Sequence, residues 1–350
     1  MSDQLADSAE RLFAMNTGKA VTRSAEDGAF PHALWAAVTD AGFTSALLPE
    51  HAGGFGLTVA EAMTLLRIAG AHAAPIPLAE TMLAGWLLAQ AGLPVPEGVL
   101  TLAPVRTKDA LSLRRAGDGW RLTGTAGRVP WARDAAEIAV LAEGPDGPVV
   151  ASLRTDGFTV EHDRNLAGEP RDTITVDVLL AADAVALAPP GFGLAQLRAA
   201  GAAVRTAQIA GALSRALALS VQYAQTRVQF GRPIGKFQAI QQNLAILAGQ
   251  SAAAIAAADM AADALATGLD PLLVGAAKAR AGEAASIAAG LAHQSHGAIG
   301  FTQEYELHFV TRRLWSWRDE FGNEAEWNGV VGRAALAAGP DGLWPALTTA

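Results

Sequence analysis

The run Arg227-Val228-Gln229-Phe230-Gly231-Arg232-Pro233-Ile234-Gly235-Lys236-Phe237-Gln238 gathers three cations and two glycines just ahead of a helical stretch. Charged donors, glycines that let backbone come close, and a following helix N-terminus together favour an anion, above all phosphate. The same composition also suits a glycine-proline turn whose cations reach water along their alkyl stems. About sixty residues on, Gln294-Ser295-His296-Gly297-Ala298-Ile299-Gly300-Phe301-Thr302 offers small residues that admit a ligand close to the backbone. A third feature is Asp319-Glu320, beside Arg312, Arg313 and Arg318. A carboxylate there can serve as a proton acceptor tuned by burial, or can pair with those arginines in a structural network beside Trp315 and Trp317. Spacing from Arg313 to Glu320 puts both on one helical face if the helix runs that far. His293, His296 and His308 form no metal signature and read as capping or packing residues, with a hydratase role for one of them left open.

These segments need a scaffold, and 350 residues, 51% hydrophobic and 17% charged, are enough for two or three subdomains at roughly 100–200 residues per domain. Net charge is -8 and the cations are scattered, so no footprint for nucleic acid or an anionic membrane is present. The absence of cysteine excludes disulfides, thiolate metal sites and cysteine nucleophiles. The N-terminal residues lack a basic region followed by an apolar one, and no uncharged apolar run approaches the ~20 residues of a membrane span. A cytoplasmic protein without a membrane span or bound metal is expected.

The chain reads as α+β in three parts. Residues 1–99 are helical: Leu34, Trp35 and Val38 recur at helical spacing before a break at Gly42, and Thr58-Val59-Ala60-Glu61 has the form of a capping box. A helix through Leu66 follows, Pro75 and Pro77 end it, and Leu78 to Ala91 is another. Residues 100–190 break into short runs bounded by turn residues, including Trp120 to Thr123, Ile138 to Leu141, Val149-Val150 and Thr173 to Leu180, which makes a small β-domain closed by Pro189-Pro190-Gly191. Residues 191–350 read as long helices in a bundle, with an apolar stripe at Phe237, Ile240, Leu244 and Leu247 and an N-cap with first-turn proline at Asp270-Pro271.

The segment from Arg227 to Gln238 closely resembles the R-x-Q-F-G-R-P-I-G-x-F-Q signature of the acyl-CoA dehydrogenase family, and Gln294 to Thr302 resembles that family's Q-x-x-G-G-x-G-[YF]-T loop. The resemblance extends to Pro49 to Gly56, to Pro75 to Thr81 and to the hairpin Gly119 to Thr125. It implies an acyl-CoA dehydrogenase-like fold: an N-terminal helical domain, a middle β-barrel or sandwich, and a C-terminal four-helix bundle. It implies FAD as cofactor, with Arg227, Gln229, Phe230 and Gln238 as contacts from one protomer. Gln294, Gly297, Ala298 and Gly300 are the implied contacts to a neighbouring protomer's FAD, with Ala298 standing where the family has glycine. Arg128-Val129-Pro130-Trp131 falls where the family places residues beside the isoalloxazine ring, which makes Val129 and Trp131 candidates; Trp131 is equally a core aromatic.

The family removes a C2 proton from an acyl thioester with a glutamate while hydride passes from C3 to flavin N5. Aligned through Arg333, the usual glutamate slot holds Phe321, and the alternative position on the preceding long helix falls near Gly201. Glu320 is the nearest substitute base, with Asp319 second. Two readings follow: a dehydrogenase using Glu320 on a bulky thioester such as a steroid-degradation intermediate, or a non-catalytic partner in an α2β2 assembly that contributes half of a composite FAD site. A third keeps the fold but changes the chemistry to a flavin oxidase, a monooxygenase or a non-redox thioester enzyme. The implied partners are an acyl-CoA, a homologous subunit in a homo- or hetero-oligomeric dimer or tetramer, and an electron-transferring flavoprotein.

Overall fold

The computed structural model describes residues 2–348. Helices α1 (Ser2–Asn16), α2 (Lys19–Glu26), α3 (His32–Asp40), α4 (Val59–Ala71) and α5 (Leu78–Gln90) come first. Eight strands follow: β1 (Leu100–Ala103), β2 (Ala110–Ala116), β3 (Gly119–Pro130), β4 (Glu137–Gly144), β5 (Gly147–Arg154), β6 (Phe158–Glu161), β7 (Arg171–Leu180) and β8 (Val185–Leu187). Then come α6 (Leu194–Thr226), the two-residue strands β9 (Val228–Gln229) and β10 (Arg232–Pro233), α7 (Gln238–Thr267), α8 (Pro271–His296), α9 (Leu307–Asp319) and α10 (Glu324–Thr348). By contacts the chain forms two compact units. One is built mainly from Ala20–Ala62 and Pro75–Gly201; the other joins Ala6–Lys19 and Met63–Ala74 to the chain from Ala202 onward.

In the first unit the capping box forms as expected: Thr58 N donates to Glu61 Oε2 at 2.9 Å and Glu61 N donates to Thr58 Oγ1 at 3.2 Å. The strands make one mixed sheet in the order β6-β7-β3-β2-β4-β5-β8, with β1 parallel to β4. Gly117-Asp118 turns β2 into β3, pairing Ala116 with Gly119. The β3/β7 ladder carries a bulge between Ala126 and Val129, which bends the strand end that bears Trp131. Leu111, Leu113, Leu122, Ile138, Val140, Leu153, Ile174 and Val176 fill the core of this layer. Thr81 ties α5 to β1 by accepting from Leu100 N and donating to Leu100 O.

In the second unit close backbone packing explains the abundance of small residues. A Cβ on Gly70 of α4 would lie 2.3 Å from Gln208 O, and one on Gly211 of α6 1.8 Å from Arg67 O, so these two helices touch along a glycine seam. α8 is the central helix, packed against α7, α9 and α10, and it buries Ala277, Ala281, Ala284, Ala285, Ala288 and Ala292. Its start is capped by Asp270, whose Oδ1 accepts from Leu272 N at 2.8 Å, with Pro271 in the first turn. By length and composition alone α7 is apolar enough to cross a membrane, with mean hydropathy 1.5 over its best window. Its hydropathy comes mostly from alanine, interrupted by Gln250, Ser251 and Asp259, and not from a leucine-type run. A third of that window is buried inside the chain.

Candidate active site

The arginine-glycine segment is a tight hairpin. Val228 pairs with Pro233 and Gln229 with Arg232, and the two turn residues Phe230 and Gly231 both take positive φ, 50° and 79°. That combination matches a two-residue hairpin turn, in which both central residues are left-handed. Arg227 N donates to Tyr223 O and Ile234 N donates to Arg227 O, each at 2.8 Å, which closes the hairpin onto the end of α6. Arg232 lies over the ring of Phe237 at 4.4 Å. Arg227, Gln229, Arg232, Lys236 and Gln238 are all exposed, and Phe230 is 92% exposed. α7 begins directly behind, and its N-cap residue, Phe237, supplies no side-chain acceptor to the first-turn amides. Uncapped amides, a helix dipole and neighbouring cations suit a phosphate.

The glycine loop leaves α8 at Gly297, whose φ of 66° and ψ of -147° redirect the chain into a 3-10 turn through Phe301. Gln294, Gly297 and Ala298 are exposed, and Gly300 is buried. A Cβ on Gly300 would sit 3.1 Å from both His293 Nδ1 and His296 Cβ, so glycine here lets the loop lie flat on α8. His293 donates or accepts through Nε2 with Thr311 Oγ1 at 2.8 Å, and its buried Nδ1 has no hydrogen-bond partner. Burial, then the neighbouring His296 and His308, pushes the His293 imidazole down to about 4, so it is neutral at ordinary pH. His296 is likewise lowered by burial and stacks on Tyr223 at 4.6 Å. Both histidines are packing residues, as the sequence suggested.

The turn between α9 and α10 holds the candidate bases. α9 stops at Asp319, so Glu320 lies beyond the helix with extended backbone and does not continue the helical face that carries Arg313. Glu320 instead accepts from Arg205 Nε of α6 at 2.7 Å; the Arg205 side chain is 1% and that of Glu320 15% exposed. Arg205 also donates to Gln208 Oε1 at 2.5 Å and stands 5.6 Å over the ring of Phe321. Phe321 is buried, at φ 56°, and Gly322 follows at φ 105°. A left-handed phenylalanine is strained and persists only where its surroundings hold it. Here Lys278 of α8, fully buried, donates to Arg318 O at 2.6 Å and Gly322 O at 2.9 Å, and Trp327 Nε1 donates to Phe321 O at 3.1 Å. Burial draws the Lys278 ammonium down to about 8, partly offset by Glu324, Glu320 and Asp319. Asp319 is exposed and stands 3.7 Å from Arg318, whose other contact is Glu324 at 3.0 Å.

Sequence reasoning missed Arg205, Gln208 and Lys278. The available signal was a lone cation inside an apolar helical run, Val204-Arg205-Thr206 and Ala277-Lys278-Ala279. In the first unit, Val129 and Trp131 are both buried. Trp131 takes a positive φ of 54° and meets Phe30 edge-on at 6.1 Å. No group of three or more metal-ligating side chains occurs among the described residues.

Family models for the acyl-CoA dehydrogenase N-terminal and C-terminal domains match residues 2–94 and 191–322. The chain is 30% identical over 321 residues to acyl-CoA dehydrogenase IpdE2 of Mycobacterium tuberculosis, covering 88% of this chain and 89% of that protein. The chain belongs to the acyl-CoA dehydrogenase family. Members of this family are flavin-dependent oxidoreductases. Among solved structures, a variant of the Tcur3481-Tcur3483 steroid ACAD superposes with TM-score 0.87 at 28% identity, covering 96% of this chain and 98% of that one. The ChsE4-ChsE5 complex from Mycobacterium tuberculosis gives TM-score 0.86 at 25% identity, covering 97% of this chain and 98% of that one. The acyl-CoA dehydrogenase architecture of N-terminal helices, central mixed sheet and C-terminal helices is thus the one seen here.

Proposed function

We propose that this chain serves FAD-dependent α,β-dehydrogenation of an acyl-CoA thioester as the subunit that completes a composite flavin site, while a homologous subunit supplies the catalytic base. The observation that carries this is the Arg205–Glu320 pair. A carboxylate that accepts a 2.7 Å charge-assisted bond from a buried guanidinium is stabilised in its ionised form and is a poor acceptor for a carbon acid's proton. Freeing it would take the 2.7 Å carboxylate partner from a buried guanidinium, a cost of several kcal/mol. Aligned through Arg333, Phe321 falls in the family's usual base slot, and its side chain carries no proton acceptor.

What the chain offers instead is a grip on a dinucleotide. Arg227 and the first amides of α7 suit the pyrophosphate, Gln229, Phe230 and Gln238 flank it, and the flattened loop of Gln294, Gly297, Ala298 and Gly300 suits close approach by the cofactor held in the neighbouring protomer. Bound FAD would supply the hydride acceptor. The exposure of both segments fits a site finished by a second protein. Likeness to chains of the ChsE4-ChsE5 complex and of a steroid ACAD favours a heteromer and a bulky steroid-derived thioester, with an electron-transferring flavoprotein as acceptor. The test is bleaching of the flavin by acyl-CoA in the assembled heteromer, with Glu320→Gln in this chain. Bleaching retained within about threefold supports the reading, and abolished bleaching makes Glu320 the base and defeats it.

A further inference from the structure

Three rings lie nearly parallel in the second unit. The Phe301 ring stacks on His293 with centroids 4.0 Å apart and planes 19° apart, and His293 stacks in turn near Trp315 at 5.6 Å and 13°. The inner ring is locked: His293 is 5% exposed and bonded to Thr311. The outer ring is not covered on its far side, for Phe301 is 66% exposed. Phenylalanine on a loop tip normally turns into the core; here the buried imidazole holds it face-out.

We infer that the exposed face of Phe301 is a stacking platform for the adenine ring of the flavin dinucleotide, with His293 and Trp315 as its backing. This rests on the flavin reading and names which part of the ligand the loop takes. A flat, apolar, pre-oriented face suits a planar base, because stacking needs a fixed ring plane and no hydrogen-bond register. The neighbouring Gly297, Ala298 and Thr302 are exposed as well, so a ring on this face stays near water at its edge. That suits adenine better than the reacting isoalloxazine, which works in a site that excludes water. Gly297 is exposed with open space where a Cβ would stand, which leaves room near Phe301 for the ribose and pyrophosphate, and His293, held neutral by burial, adds no charge against the base.

The experiment compares FAD with FMN, which lacks the adenylate half, in the assembled holoprotein after reversible flavin removal, for wild type, Phe301→Leu and Phe301→Tyr. The inference predicts that Phe301→Leu weakens FAD binding about tenfold or more, leaves FMN binding unchanged, and that Phe301→Tyr restores FAD. Equal loss for both flavins, or no loss for either, overturns it while leaving the flavin reading intact. A Phe301→Leu variant whose FAD-to-FMN preference is unaltered but whose subunit mass falls also overturns it, assigning the ring to the protein interface. If the wild-type assembly takes up neither flavin, the flavin reading fails and the inference falls with it.

Discussion

Arg205 and Glu320, 115 residues apart in sequence, form a buried ion pair at 2.7 Å that ties α6 to the turn between α9 and α10. The pair engages the carboxylate that directly precedes Phe321. Its guanidinium also bonds Gln208 and covers Phe321, so one side chain fixes both the acid and the aromatic residue beside it.

If Glu320 is structural, Glu320→Gln should lower stability and spare turnover. Removing the charge opposite a 1% exposed guanidinium should cost about 2–3 kcal/mol. Urea melts of the variant should show the loss, while turnover of the assembled enzyme stays within about threefold. Arg205→Met combined with Glu320→Met should cost less than Glu320→Met alone, since an apolar pair of similar volume replaces a buried ion pair without strong penalty.

Lys278 gives a pH signature. Its native value is about 8 against 10.5 when unfolded, so between those values the unfolded chain binds more protons and stability rises with pH. The neutral amine still has two N–H groups for Arg318 O and Gly322 O. Stability measured by denaturant melts from pH 7.5 to 10.5 should therefore climb in wild type relative to Lys278→Met. Parallel curves for the two proteins would refute the assignment of that slope to Lys278.

Phe230 stands 92% exposed at the hairpin tip, where burial contributes little to folding. Phe230→Ser should change stability by no more than about 0.5 kcal/mol yet reduce flavin retention in the assembly about tenfold. Equilibrium dialysis of FAD beside a thermal melt separates the two effects, and a melt that drops while flavin stays bound would place Phe230 in packing alone.

Much of this was legible in the sequence because it was written locally. The capping box at Thr58-Glu61, the cap at Asp270-Pro271 and the turn-bounded strands each depend on residues within a few positions of one another. The hairpin at Phe230-Gly231 was also local, though its left-handed pair of residues was not foreseen. The partner of Glu320 was not legible, because nothing in the spacing of residues 312–320 points to α6. Helical periodicity suggested Arg313, but the helix ends at Asp319 and Glu320 continues with extended backbone, from which it reaches Arg205. The role of Lys278 was hidden for the same reason: it caps carbonyls forty and more residues away. The C-terminal bundle was legible, but that α4 meets α6 backbone to backbone at Gly70 and Gly211 was not, because those positions lie far apart in sequence.

The most direct test is flavin content and turnover of this chain alone and after co-expression with a family member that carries the glutamate, measured by visible spectrum, native mass and acyl-CoA bleaching. The prediction is a colourless, inactive chain by itself and a yellow heteromer that acyl-CoA bleaches. A yellow homo-oligomer of this chain that oxidises acyl-CoA unaided, and loses that activity on Glu320→Gln, would contradict it.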